Sequence, residues 1–347
     1  MTNNNSAAPA TKGIDLEVSF MQALGIILVV AEHSFNYYDE PPYFCDWVYQ
    51  FSMPMFVFLS GYLLKHGMIR KNQSPADIRM GGRGGFIFDK TKRLLVPYFI
   101  INTLVFIPKA LLGSFSLRPV ELSFADYFDM LAWPYHNVVG TLWFLFTIFT
   151  ILVIAVIGLK LLNKLKFRIH PLAVLAALAA VSVLAPKDEI IFNIHAIMRY
   201  MVYMAAGYYA RSINLKEKIA DRATTIFNIT FILSFFLAFA HEYQETEIIT
   251  AANGIMMMMS AAIIYNKKGW HLINHLYGAS YTIYIYSWFA QVFFLQILMK
   301  LTGLPGFAAS ILAIAGGVYI PFLLHKWIKA NRTTAAGKCL AFISGIK

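Results

Sequence analysis

Charged residues are scarce in this chain of 347 residues: Asp, Glu, Lys and Arg together make up 14% of it. Soluble globular domains carry about 25%. Hydrophobic residues reach 59% and recur in long runs. An α-helix needs about 20 such residues to cross a bilayer. The shortage of charge therefore excludes an ordinary soluble domain and indicates an all-α polytopic membrane protein.

Cysteine is equally rare, with only Cys45 and Cys339. The topology predicted below puts them on opposite faces of the membrane, which excludes a disulfide between them. Neither has the spacing of a metal-binding or CxxC redox motif, so no metal site is expected.

Acidic residues are outnumbered, 18 Asp and Glu against 29 Lys and Arg, giving a net charge of +11. In a soluble protein this excess would suggest nucleic acid. Here the basic residues cluster in alternate loops, chiefly 66–93, 160–168 and 211–222, and in the C-terminal tail. Basic loops remain in the cytoplasm. Topology thus explains the charge without a nucleic-acid partner, and both termini are predicted to be cytoplasmic.

The apolar runs predict about ten membrane spans between short tails, 1–17 and 327–347. The predicted spans are 18–38, 45–65, 94–114, 142–161, 170–186, 190–210, 224–241, 247–265, 277–299 and 304–326.

The first span carries His33, and an ionisable residue inside a membrane helix is a functional-site hypothesis. Gln22 lies eleven residues earlier, within about 20° of the same helical face, so with Ser19 and Tyr37 it forms a polar stripe. Glu32 points about 100° away, so we expect it to orient His33 only through a neighbouring helix. The alternative for His33 is a hydrogen bond between helices.

Two further spans carry polar groups. Arg199 lies near the middle of the sixth span, where it either binds an anion or forms an ion pair between helices. The ninth span has a hydroxyl-rich face, suited either to a sugar or water-lined cavity or to helix packing. Its members are Tyr277, Ser280, Tyr281, Tyr284, Ser287 and Gln291.

The loop 66–93 is basic and contains Gly-Gly-Arg-Gly-Gly at 81–85. It is either a positive-inside loop or a surface that binds an anionic cofactor. It lacks the spacing of a phosphate-binding Walker loop or a dinucleotide fingerprint.

Several short runs share their order with a known family. They are Val29–Val30 followed by His33–Ser34, Phe51–Phe56 leading to Ser60–Gly61–Tyr62, Lys92–Tyr98, Leu142–Leu145, Ala206–Gly207–Tyr208 and Gly278–Tyr284. In these residues the chain resembles the acyltransferase-3 family, whose bacterial members O-acylate cell-envelope glycans and lipopolysaccharide. The resemblance covers nearly the whole chain and implies that 18–326 form an acyltransferase domain in the bacterial cytoplasmic membrane.

The resemblance also implies a chemistry. The donor would be acyl-CoA, in particular acetyl-CoA, arriving from the cytoplasm, and the acceptor a hydroxyl of an envelope glycan or lipid-linked sugar. His33 would be the catalytic base, oriented by Glu32 or by Tyr281, since imidazole titrates near neutral pH. Whether the acyl group moves directly or through a covalent relay stays open.

The implied cofactor-binding group has five members. These are Arg93, Lys92, Lys90, Ser60 and Arg199.

Two positions depart from the family pattern. The family usually has Arg or Lys at the place of Gln22 and often His at the place of Ser287. We hypothesise that Arg199 supplies the missing charge from another helix. Two other functions remain open, a transporter or flippase for a polar glycan or lipid, and a catalytically silent scaffold in envelope synthesis.

Overall fold

The structure, a computed structural model, describes residues 15–35, 40–111, 120–165, 169–238 and 246–346. Over these ranges the regular secondary structure is helical, without a β-strand. The helices that we number are α1 (Leu16–Phe35), α2 (Tyr43–Tyr49), α3 (Ser52–Arg70), α4 (Phe86–Leu111), α5 (Phe124–Ala132), α6 (Trp143–Lys164), α7 (Pro171–Val183), α8 (Ile194–Ser212), α9 (Leu215–Ala238), α10 (Glu247–Lys267), α11 (Ser280–Thr302), α12 (Gly306–Ala330) and α13 (Ala335–Ile343).

Within the described ranges, seven helices are long and apolar enough to cross a membrane: α1, α4, α6, α9, α10, α11 and α12. This confirms the all-α class with several membrane helices. The second, fifth and sixth predicted spans correspond to α3, α7 and α8. With 13 residues, α7 rises only about 20 Å, less than the roughly 30 Å of a bilayer core. The count of ten spans and the cytoplasmic termini stay predictions.

The second predicted span, 45–65, is wrong in its bounds. The chain forms the short α2, leaves helical geometry at Phe51 (φ −130°, ψ −14°) and starts α3 at Ser52. Pro54 lies in the first turn of α3, where a missing N–H interrupts no helical hydrogen bond. The proline therefore marks a helix start rather than the interior of a span.

The third span begins at Phe86 rather than at 94, because the end of the predicted basic loop is helical. Thr91–Leu95 form a π-helical turn within α4. Such turns are rare and often found at functional sites. Lys90 and Arg93, which the sequence placed before this span, thus lie on a helix with fixed directions.

Helices α3 and α8 pack backbone against backbone. A Cβ atom on Gly61 would overlap the Met204 carbonyl oxygen, and one on Gly207 would overlap the Phe58 carbonyl oxygen. Small residues allow this approach between membrane helices, which gains close packing. The two glycines belong to the Ser-Gly-Tyr and Ala-Gly-Tyr runs of the sequence, so both runs have a structural role.

Helix α1 lies among α3, α10, α11 and α12. Its first turn is held by Lys216, whose Nζ is 3.1 Å from Asp15 Oδ2 and 3.0 Å from Glu17 Oε2. The Tyr62 hydroxyl also donates to Asp15, at 3.4 Å. Burial acts to raise the pKa of Asp15, but Lys216 and a backbone N–H outweigh it and lower that pKa. We call this end of the bundle, marked by Asp15 and Lys216, the lower end.

The opposite end of α1 is the upper end, marked by His33, Cys45 and Ser310. Ser310 Oγ donates to the Ser34 carbonyl oxygen at 2.8 Å, and Cys45 Sγ lies 3.6 Å from the Glu32 carbonyl oxygen. Helices α2 and α12 therefore meet the last turn of α1.

Candidate active site

His33 lies in the last turn of α1, and its carboxylate partner is its own neighbour. The His33 Nδ1 atom is 3.2 Å from Glu32 Oε2. The imidazole is 37% exposed, whereas the Glu32 side chain is 5% exposed. The expectation that Glu32 could reach His33 only through another helix is wrong. The three side-chain torsions of glutamate bring the carboxylate across the helix surface, although the two Cβ atoms diverge.

The turn that carries His33 is fixed through its backbone. Gln291 of α11 donates from Nε2 to the Val30 carbonyl oxygen at 3.1 Å, and Ser34 Oγ donates to the same carbonyl at 2.7 Å. With the bond from Ser310, two neighbouring helices hold this turn. These bonds fix the position of the backbone that carries the His33 imidazole. Tyr37, the last member of the predicted stripe, lies outside the described residues.

A separate cavity of about 620 Å³ lies toward the lower end, between α1, α3, α4, α6, α11 and the 71–85 loop. Its lining includes apolar side chains, which we call the apolar wall: Ile26, Met53, Phe56, Phe144, Leu145, Ile148 and Leu152. It also includes polar and charged side chains, which we call the polar wall: Gln22, Ser60, Lys71, Gln73, Asp77, Arg79, Asp89, Lys90, Arg93, Ser280, Tyr281 and Tyr284. A cavity whose lining combines both kinds of side chain suits an amphipathic ligand.

Four cations and two carboxylates contribute to the polar wall, so it favours an anion. The cations are Lys71, Arg79, Lys90 and Arg93, and the carboxylates are Asp77 and Asp89. Arginine and lysine make charge-assisted hydrogen bonds with phosphate oxygens. The structure therefore joins the basic loop of the sequence to the start of α4 in one surface.

The loop has a defined conformation at this wall. Asp77 accepts hydrogen bonds from the Ser74 hydroxyl and N–H, which lowers the pKa of Asp77. Lys160 of α6 donates to the Ala76 carbonyl oxygen at 2.9 Å, which attaches the loop to that helix. Of the glycines at 81–85, Gly84 lines the cavity.

Arg93 and Tyr281 contact each other at the edge of the cavity. The guanidinium carbon of Arg93 is 5.2 Å from the centre of the Tyr281 ring, a cation–π arrangement. The Tyr281 hydroxyl also donates to the Arg93 carbonyl oxygen. The structure thus brings Tyr281 to Arg93, and the predicted contact of Tyr281 with His33 is not among those it shows.

Three members of the predicted cofactor-binding group line the cavity together: Ser60, Lys90 and Arg93. Lys92 does not belong to the lining; its Nζ lies 5.9 Å from the centre of the Phe342 ring in α13. Successive side chains on a helix point about 100° apart, so the adjacent Lys92 and Arg93 serve different surfaces.

Arg199 is also separate from the cavity. Its guanidinium contacts Glu247 Oε2 through Nη2 at 2.6 Å and through Nε at 3.0 Å. Tyr203 donates to the Glu247 carbonyl oxygen at 3.4 Å. The structure shows the ion pair between α8 and α10, one of the two roles that the sequence left open. Gln22, for which Arg199 was expected to compensate, itself lines the cavity.

The hydroxyl face of α11 divides between two tasks. Ser280, Tyr281 and Tyr284 line the cavity, whereas Ser287 is buried and Gln291 binds α1. One part of this face thus lines a cavity, and another part packs against a neighbouring helix.

His33 and the cavity lie on one face of α1 but do not meet. Gln22, Ile26, Val29 and His33 follow each other at spacings of four, three and four, and the first two line the cavity. From Ile26 to His33 the helix rises about 10 Å. Val29 lies between them, buried in a cluster against which Phe56 packs. An apolar layer thus separates the His33 imidazole from the basic cavity.

The sequence singled out the basic loop as a whole but not its two lining cations, Lys71 and Arg79. It also missed the apolar wall of α6, although Phe144, Ile148 and Leu152 recur every four residues and so mark one helical face.

Among the described residues no cluster of His, Cys, Asp and Glu suits a metal ion.

The fold and this site define a membrane protein with several spanning helices, a basic cavity and a histidine–carboxylate pair near one end. The model of the acyltransferase-3 family, described as an acyltransferase domain, matches residues 15–326. The chain belongs to this family, as the sequence runs predicted. Searches of the curated proteins and of the solved structures found no match.

Proposed function

We propose that the protein is an integral membrane O-acyltransferase that moves an acyl group, in particular acetyl, from acyl-CoA to a hydroxyl of an envelope glycan or lipid-linked sugar. The observation that carries this proposal is the cavity that unites Arg79, Lys90 and Arg93 with an apolar wall. Family membership supports the reaction class. The bacterial cytoplasmic membrane is its proposed location, with lipids around the bundle.

The cavity is the proposed donor site. Coenzyme A carries several phosphate charges at one end and a flexible, less polar arm at the other. The cations of the loop and of α4 would hold the phosphates, with Ser60 as a hydrogen-bonding group. The arm would lie along the apolar wall toward Ile26 and Val29.

His33 is the proposed general base. The acceptor hydroxyl oxygen attacks the thioester carbonyl carbon while its proton passes to the His33 imidazole. The carbon–sulfur bond then breaks, and the CoA thiolate takes that proton from the imidazolium. Glu32, at 3.2 Å from Nδ1, orients the ring and stabilises its charged form. General bases of this kind contribute about 10²–10⁴-fold to rate.

The acceptor is proposed to approach His33 from the upper end. The imidazole is exposed there, while the buried Val29 lies on the cavity side. Donor and acceptor would thus arrive from opposite ends of α1, and the thioester must pass the layer at Val29 before it reaches the base.

The test is release of CoA thiol from acetyl-CoA by the purified detergent-solubilised protein, with an envelope glycan extract as acceptor. Acceptor-dependent release should fall at least 10²-fold in His33→Ala, whereas binding of CoA should persist. His271→Ala is the matched control, because His271 is exposed and lies outside the cavity lining. Glycan flux without thioester consumption by the wild type would instead indicate a transporter, and neither activity would indicate a scaffold.

A further inference from the structure

The C-terminal turn of the chain reaches the edge of the proposed donor cavity. Helix α13 is followed by Ser344 and Gly345, both buried. Gly345 packs on the backbone of Arg93: a Cβ atom on this glycine would lie 2.9 Å from the Arg93 carbonyl carbon and 3.0 Å from its Cα, and would overlap its carbonyl oxygen. No larger residue fits there without movement.

The turn is a defined helix end. Gly345 has φ +61°, its N–H donates to the Phe342 carbonyl oxygen, and the Ile346 N–H donates to that of Ala341. These two bonds make a Schellman motif, in which glycine takes the left-handed position. The motif alone explains a glycine, but not its contact with Arg93.

Two side chains attach the turn to the same region. Ser344 Oγ is 2.6 Å from the Tyr286 hydroxyl of α11, and the Lys92 Nζ lies over the Phe342 ring. The Arg93 carbonyl is therefore enclosed by Gly345 on one side and by the donating Tyr281 hydroxyl on another.

We propose that Ser344 and Gly345 are positioning residues for the donor: they hold the π-helical turn of α4 so that the Arg93 guanidinium stays over the Tyr281 ring at the cavity. The assignment rests on the proposed function, since it takes the cavity as the acyl-CoA site. It adds the C-terminal segment, beyond the matched family domain, to the determinants of donor affinity.

The chain offers a matched control. Gly269 ends α10 in the same Schellman motif, with φ +66°. Its N–H donates to the Asn266 carbonyl oxygen and the Trp270 N–H to that of Tyr265, but no atom lies within 4 Å of a Cβ added to Gly269. Gly345→Ala and Gly269→Ala therefore carry the same backbone strain, and only the former pushes on Arg93.

Hydrogen exchange and donor binding together test the proposal on the purified full-length protein. In Gly345→Ala, amides of residues 91–95 should exchange faster than in Gly269→Ala. The Kd for CoA, measured by calorimetry, and the KM for acetyl-CoA should rise about tenfold, with kcat little changed. If Gly345→Ala does not fold, Ser344→Ala, which adds no atom near Arg93, takes its place with the same expected direction.

The outcomes separate the positioning role of Ser344 and Gly345 from the proposed donor site itself. Equal exchange in the two alanine variants would refute the hold on Arg93, and faster exchange with unchanged CoA affinity would refute the positioning role. Failure of the wild type to bind CoA would overturn the donor site itself, and this assignment with it.

Discussion

The two ends of α1 differ in the number and arrangement of the charged groups around them. At the upper end, His33 is a single ionisable ring with one carboxylate partner, on a turn bonded to Gln291 and Ser310. Toward the lower end, four cations from the 71–85 loop and the start of α4 line the cavity: Lys71, Arg79, Lys90 and Arg93. The upper region is a single ionisable pair on a turn bonded to two helices, and the lower region is a wide surface of several charges.

This difference matches the needs of the two proposed tasks. A base must be held within tenths of an ångström of its productive position. A site for a flexible polyphosphate gains from several cations, because charge attraction falls slowly with distance. The apolar layer at Val29 keeps the two environments apart, so substitutions in one region should leave the properties of the other unchanged.

The largest effect on stability is expected at the close contact between the backbones of α3 and α8. Gly61→Ala places a Cβ against the Met204 backbone and should destabilise the α3–α8 contact by about 3 kcal/mol or more, or prevent folding. Gly158→Ala is the control, since no atom lies within 4 Å of its Cβ inside α6. Thermal unfolding in detergent measures both. An unchanged melting temperature in Gly61→Ala would show that the backbones are not in contact.

Next in size is the change at the base. Glu32→Gln keeps the shape but removes the charge beside Nδ1, and should lower kcat for acyl transfer about 10²-fold while leaving the Kd for CoA unchanged. Single-turnover kinetics and calorimetry measure the two quantities. A change in CoA affinity with normal kcat would instead join His33 and the cavity into one binding site.

Substitutions in the cavity should change the affinity for the donor rather than kcat. Arg93→Gln should raise the KM for acetyl-CoA roughly tenfold with little change in kcat, because a charge-assisted contact to phosphate is lost at an exposed position. Lys92→Gln should have a smaller effect, since the Lys92 ammonium lies over Phe342. Steady-state kinetics at two salt concentrations test this. Equal effects of the two substitutions would contradict the division of roles within the π-helical turn.

The smallest effect concerns the lower anchor of α1. The pKa of Asp15 is lowered in the folded protein, so its bond to Lys216 stabilises the fold above the ordinary value of 3.8 and loses this contribution as pH falls below it. Asp15→Asn should therefore reduce stability by about 1 kcal/mol at pH 7, and the difference should shrink in acid. Melting temperatures at pH 7 and pH 3.5 measure the change. A difference that does not depend on pH would exclude the ion pair as its cause.

Much of the fold could be predicted from local sequence. Long apolar runs identify α1, α4, α6 and α9–α12, because helix length and lipid thickness are fixed quantities. Where the runs misled, backbone chemistry decided: Pro54 starts α3, and the π-helical turn extends α4 into the basic loop. A proline in the first turn of a helix can be recognised in the sequence. The π-helical turn has no comparable residue pattern.

The candidate site was predictable in part. Residue type and spacing along the chain were enough to predict the membrane class, the family, His33 as an ionisable residue inside a predicted span, and the basic character of the loop that becomes part of the cavity wall. Which charged groups contact each other is visible in the tertiary structure alone. Glu32 contacts His33, and Arg199 contacts Glu247. Arg93 lines the cavity and packs against Gly345, whereas Lys92 does not line the cavity. The physical reason is that side-chain torsions and helix rotation set these partners, and neither follows from the order of the residues alone.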